Sequence, residues 1–197
     1  MANFTAAEVK RLREVTGAGM LDCKNALVEN DGDLEKAIEQ LRVKGLKGVA
    51  KREGRSASNG LVTAQVVNGV GVLVEINCET DFVARTDEFQ KLVRDVAMQV
   101  AGLAPVYVDI DRIPAEVIEA KKAALLADEA VQAKPETVRE KIVEGQLKKW
   151  YREVCLLEQP FRDEERSVRD LVIERISTIG ENIRVRRFAR YALGEEM

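Results

Sequence analysis

Residues 72–85 read Val72-Leu73-Val74-Glu75-Ile76-Asn77-Cys78-Glu79-Thr80-Asp81-Phe82-Val83-Ala84-Arg85. The apolar run 72–76 predicts a buried strand, and it leads straight into an acid beside an aromatic ring. Two readings of that step stand open on the residues alone. Asp81 can cap the next turn while Phe82 and Val83 staple it to the core, or Phe82 can be held outward as a contact.

Upstream, 61–67 and 71–77 alternate as two strands of a hairpin separated by Asn68, Gly69 and Val70. A two-residue turn would set Val66 opposite Gly71 and mix the faces. A three-residue loop instead aligns Val62, Ala64 and Val66 with Ile76, Val74 and Val72, leaving Thr63, Gln65 and Glu75 on a polar outer face. Downstream, Thr86 is placed to cap a helix whose Phe89, Leu92, Val93, Val96, Ala97 and Val100 share one face. Pro105, Pro114 and Pro135 divide the next part, with helices expected over 115–126 and 136–157, the latter interrupted near Gly145. Trp150 and Tyr151 are expected to pack there. Ser167 precedes a helix burying Val168, Leu171, Val172, Ile176 and Ile179, which Gly180 stops. A last strand over 183–193 completes a three-stranded sheet.

The N-terminal part has a different rhythm. Thr5 and Glu8 form a capping box, with Val9 and Leu12 in the stripe behind it. The glycines Gly17 and Gly19 end that helix before a second one over 20–30. Asn30, Asp31, Gly32 and Asp33 offer turn and N-cap chemistry for a third, carrying Leu34, Ala37, Ile38 and Leu41, which Gly45 is expected to end. Residues 17–19 follow no strand and precede no Gly-Lys-Ser/Thr, so they read as a helix turn and not a phosphate loop. Lys44, Lys47, Lys51, Arg52 and Arg55 then read as a basic linker with a solvated face, contact with an acidic partner being the lesser reading.

Composition narrows the chemistry. The chain has 197 residues, 46% hydrophobic and 33% charged, enough for one or two globular domains. There is no histidine, so the usual serine and cysteine triads are excluded. No paired carboxylates announce acid/base work, and no enzyme activity is expected. The three cysteines, Cys23, Cys78 and Cys155, are odd in number and far apart, which suits reduced thiols in the cytoplasm and supplies no metal site. A net charge of −3 argues against nucleic acid as the main partner. No apolar run is long enough to span a membrane, and residues 1–10 lack the order of a secretory signal. Arg184, Arg186, Arg187 and Arg190, interleaved with Phe188 and Tyr191, raise an RNA-binding strip; on an acidic chain they more often protect a sheet edge or pair with acids.

Three blocks resemble the bacterial elongation factor Ts family: LREVTGAGMLDCKNAL at 12–27, VLVEINCETDFVAR at 72–85, and 176–193 ending IRVRRFARYAL. Leu21 stands where a methionine is often found. The resemblance implies an α+β fold, a UBA-like three-helix bundle with its basic linker over 1–54, and a core over 55–197. That core is a three-stranded antiparallel sheet packed with helices, with a helical insert at about 115–160. It implies a non-catalytic guanine-nucleotide exchange factor in the cytoplasm that binds elongation factor Tu in its GDP-bound and nucleotide-free states, with no cofactor, nucleic acid or membrane. Thr80, Asp81, Phe82 and Val83 would dislodge the partner's Mg²⁺, Phe82 as the wedge and Asp81 orienting it. Arg13 and Met20 would touch the partner from the bundle. Long members resemble a chain with two core halves; one strand-helix signature here implies a homodimer. The competing reading is an RNA- or ribosome-associated adaptor without exchange activity.

Overall fold

A computed structural model describes residues 4–162 and 166–195. They form two compact units. The first holds the described residues through Leu61 with Ile76–Leu92 and Asp170–Arg184; the second holds Val62–Glu75, Val93–Arg169 and the described residues from Val185 onward.

The first unit begins with a three-helix bundle. Helix α1, Ala6–Thr16, starts at the capping box: Glu8 N donates to Thr5 Oγ1 at 3.3 Å, and Thr5 N donates to Glu8 Oε2 at 2.6 Å. Gly17, with φ 66°, ends it in the left-handed conformation. Helix α2 spans Met20–Glu29, and α3, capped by Asp33, spans Leu34–Arg52. Val9, Leu12, Cys23, Ala26, Leu27, Ala37 and Leu41 make their common core.

The expected stop at Gly45 is absent, because α3 runs on through Arg52. A Cβ at Gly45 would lie 2.8 Å from Ser177 Oγ, and one at Gly17 would lie 2.7 Å from Thr178 Oγ1. These glycines are therefore places of close approach to helix α9, Val168–Ile179. The basic segment read as a linker is largely the last turns of α3, where lysine and arginine complement the helix dipole.

Strands β1, Asn59–Val67, and β2, Val70–Cys78, pair as a hairpin, and β3, Arg184–Tyr191, lies on the other side of β2 in a three-stranded antiparallel sheet. The hairpin turn has two residues, not three. Asn68 and Gly69 take φ 50° and 82°, the two positive values of a type I′ turn. This register places Thr63 and Gln65 inward and Val62 and Val66 outward, 67% and 79% exposed. The expected polar outer face of β1 is thus apolar. On β2 the alternation is as read, with Val72, Val74 and Ile76 buried and Leu73 outward.

The one-turn helix α4 spans Asp81–Ala84, and α5 spans Asp87–Leu103 with Phe89, Leu92, Val93, Val96, Ala97 and Val100 all buried. Phe89 N donates to Thr86 Oγ1 at 3.3 Å, the expected cap. Within the second unit, α6, Ala115–Ala127, α7, Glu129–Gln132, and α8, Glu136–Val154, enclose a small core of Val131, Val143 and Leu147. Helix α8 passes Gly145 without interruption. Trp150 and Tyr151 pack against that core, as expected, with their rings 5.4 Å apart. Gln159, 1% exposed, is held by Gln99 and donates to the carbonyls of Leu103 and Glu153.

Candidate functional site

The last buried residues of β2, Asn77 and Cys78, lead into a bend at Glu79, and the chain then turns into α4. Thr80 is extended, with φ −125° and ψ 155°, and its Oγ1 accepts from Val83 N at 3.4 Å. Thr80, not Asp81, is therefore the cap. Asp81 is exposed and accepts from Arg85 Nη2 at 2.9 Å along the surface of the turn. Phe82 is 78% exposed, so it does not staple the turn to the core. Val83 is half-buried and Ala84 buried, anchoring the side of the turn opposite the ring. A phenylalanine so presented leaves most of its apolar surface in water, a state whose relief on binding is worth ~1.5–3 kcal/mol.

The turn is braced from below. Cys78 Sγ donates to Thr80 O at 3.1 Å. Burial, and then the neighbouring Glu181 carboxylate, push this thiol up to about 11, so it stays a protonated donor at neutral pH. Glu181, just beyond Gly180 at the end of α9, accepts from Glu79 N and Thr80 N, both at 3.0 Å, and from Thr80 Oγ1 at 2.7 Å. Glu79 in turn accepts from Asn182 N at 2.7 Å and pairs with Arg55 at 3.6 Å. Asn59 Nδ2 donates to Glu79 O at 2.8 Å, and Asn182 Nδ2 to Arg55 O at 2.8 Å. Glu79, Glu181 and Asn182 were not singled out by the sequence reading. The available signal was an acid and an asparagine directly after a helix-ending glycine, where solvent alone would have satisfied any polar pair.

Residues 80–83 thus form one turn, whereas Arg13 and Met20 belong to the bundle. Arg13 is exposed in the last turn of α1, its carbonyl accepting from Gly17 N. Met20, half exposed, lines an open hollow of about 610 Å³ with Phe4, Ala6, Val9, Leu21 and Lys24. The arginines of β3 are engaged: Arg186 and Arg187 pair with Glu75 at 3.4 and 2.7 Å, Arg190 pairs with Glu195, and Arg184 bonds the Glu53 carbonyl. Three of the four thus pair with acids, Arg186 and Arg187 sharing the Glu75 carboxylate, while Arg184 meets a backbone carbonyl.

Among the described residues, no helix is long and apolar enough to cross a membrane, and no three or more Cys, Asp or Glu gather as a metal site. What this surface offers is a fixed ring on a rigid turn and an apolar hollow on the bundle.

The family model of elongation factor Ts matches residues 38–173. An elongation factor Ts of Carboxydothermus hydrogenoformans is 56% identical over 195 residues, covering 98% of this chain and 90% of that protein. One from Moorella thermoacetica is also 56% identical, covering 98% of this chain and 96% of its own. One from Synechococcus elongatus is 54% identical over 199 residues, with 99% and 90% covered.

Proposed function

This chain belongs to the elongation factor Ts family of translation factors, and from that premise we propose that it is the guanine-nucleotide exchange factor of elongation factor Tu. The observation carrying this reading is the exposed Phe82 on a braced turn at the end of a buried strand. A ring held outward by buried supports costs little ordering entropy when it enters a partner, so its burial is available to do work there.

The work is displacement. In elongation factor Tu a Mg²⁺ ion neutralises the GDP phosphates and demands near-octahedral geometry, so a small shift of the surrounding elements loosens both ion and nucleotide. Phe82 acts as the wedge, Asp81 orients its entry, and Thr80 and Val83 fix the turn. Arg13 and Met20 grip the partner from the bundle. By linkage, a chain that binds the nucleotide-free partner more tightly than the GDP-bound one weakens GDP binding by the same factor. No covalent chemistry is required, and the chain acts as a non-enzymatic factor in the cytoplasm. Residues 1–54 serve as the gripping part, and 55–197 as the part that inserts and dimerises.

The test follows fluorescent GDP leaving elongation factor Tu. The wild-type chain is expected to accelerate release, and Phe82→Ala to lose about 10- to 100-fold of that acceleration, the equivalent of the ~1.5–3 kcal/mol of lost burial. No acceleration by the wild type would reject the exchange reading, and an unimpaired Phe82→Ala would reject the wedge.

A further inference from the structure

The turn that carries Phe82 is held by a reciprocal exchange between two segments far apart in sequence. Glu181 receives the backbone amides of Glu79 and Thr80 and the Thr80 hydroxyl, while Glu79 receives the backbone amide of Asn182. Each carboxylate satisfies amides of the other segment, so neither can shift alone without stranding polar groups. Thr80 Oγ1 is the relay. It donates to Glu181 and accepts from Val83 N, so the position of Glu181 fixes the first turn of α4 and with it the direction of the ring. Asp81 pairs with Arg85 four residues on, along the surface of the turn, and that pair does not reach the segment at 181–182.

From this geometry we infer that Glu181 is a positioning residue for nucleotide exchange, acting through Thr80 to hold Phe82 in its inserting direction. The inference rests on the reading of Phe82 as the wedge. It adds a residue about 100 positions away in sequence that need not touch the partner. A positioning residue and a binding residue differ in what they change. Loss of Glu181 leaves the gripping surface of the bundle intact and misdirects the ring, so the maximal release rate falls while the half-saturating concentration holds.

The experiment titrates the full chain against elongation factor Tu loaded with fluorescent GDP and extracts both quantities, with circular dichroism confirming folding. Glu181→Ala is expected to lower the maximal rate by at least about tenfold and to change half-saturation by less than about threefold. Glu181→Gln retains an oxygen for the two amides and an amide group that can donate to Thr80 Oγ1, so it should stay within about threefold of wild type. Thr80→Val, which removes the relay hydroxyl, should share the rate defect and serves if Glu181→Ala does not fold.

The inference is overturned if folded Glu181→Ala and Thr80→Val reach the wild-type maximal rate. It is also overturned if the loss lies in half-saturation alone, or if Glu181→Gln is as defective as Glu181→Ala, since the charge and not the geometry would then matter. Those outcomes leave a Phe82-dependent wild type standing. If instead the wild type does not accelerate release, or Phe82→Ala equals it, the underlying reading fails and takes the positioning role with it.

Discussion

Gly60 has no room for any side chain. Its φ is 143°, and a Cβ there would lie 2.1 Å from the Ile76 carbonyl oxygen, a backbone atom that cannot swing aside. Gly60→Ala is expected to destabilise the fold by about 2–4 kcal/mol, measured by denaturant unfolding, since strain and a backbone clash add. Cys78 gives a residue-scale prediction in pH. Its folded value, about 11, lies above the ordinary 9.0, so the unfolded chain releases its proton first. Its contribution is complete below about pH 9 and is lost as pH rises through about 11. The wild-type melting temperature should therefore fall more steeply than that of Cys78→Ala between these limits; equal slopes would reject the assignment. At this scale the sequence made Phe82 conspicuous because an aromatic follows directly on a strand, whereas the cap expected at Asp81 lies one residue earlier, at Thr80. Glu181 was not conspicuous, since its partners lie about 100 residues away and leave no local period.

Helices end where the backbone is forced to leave, and glycine alone does not force it. Gly45 and Gly145 both sit inside 19-residue helices. A helix interior glycine costs about 1 kcal/mol, which tertiary packing readily outweighs. The two sites differ in their surroundings. Apart from the helix's own backbone, no atom of the described residues lies within 4 Å of a Cβ built at Gly145, so Gly145→Ala is expected to stabilise by about 0.5–1 kcal/mol, seen as a higher denaturant midpoint. At Gly45 the Ser177 hydroxyl must first turn away, which reduces the gain. Thr5 and Thr86 were legible as caps because their hydrogen bonds reach only three residues, and both act at the expected places; of the turn residues 30–33, Asp33 is the one that caps α3. The hairpin register was misread because alternation shows which residues share a face but not which face is wet. Asn68-Gly69 is itself the strongest local signal for a two-residue turn, and it outweighs the apparent mixing of faces.

For the whole molecule, that register leaves Val62 and Val66 of β1 and Leu73 of β2 as an apolar patch on the outward side of the sheet, beside the ion pairs of Glu75 with Arg186 and Arg187. We propose that a second copy of the chain covers it, because a C2 pairing buries the same apolar patch on both partners at once. Sedimentation is expected to give twice the 22.0 kDa chain mass at micromolar concentration, and Val66→Lys is expected to give the single mass. A wild-type monomer under those conditions would defeat the proposal. The clasp between residues 79–80 and 181–182 also carries a consequence for how the protein comes into being. Closing so long a loop must wait for both ends, so a growing chain that has emerged only through α9 contains Phe82 but lacks the carboxylate that aims it. A factor that serves translation is thereby unfinished as a tool until its own residues 181–182 have been made.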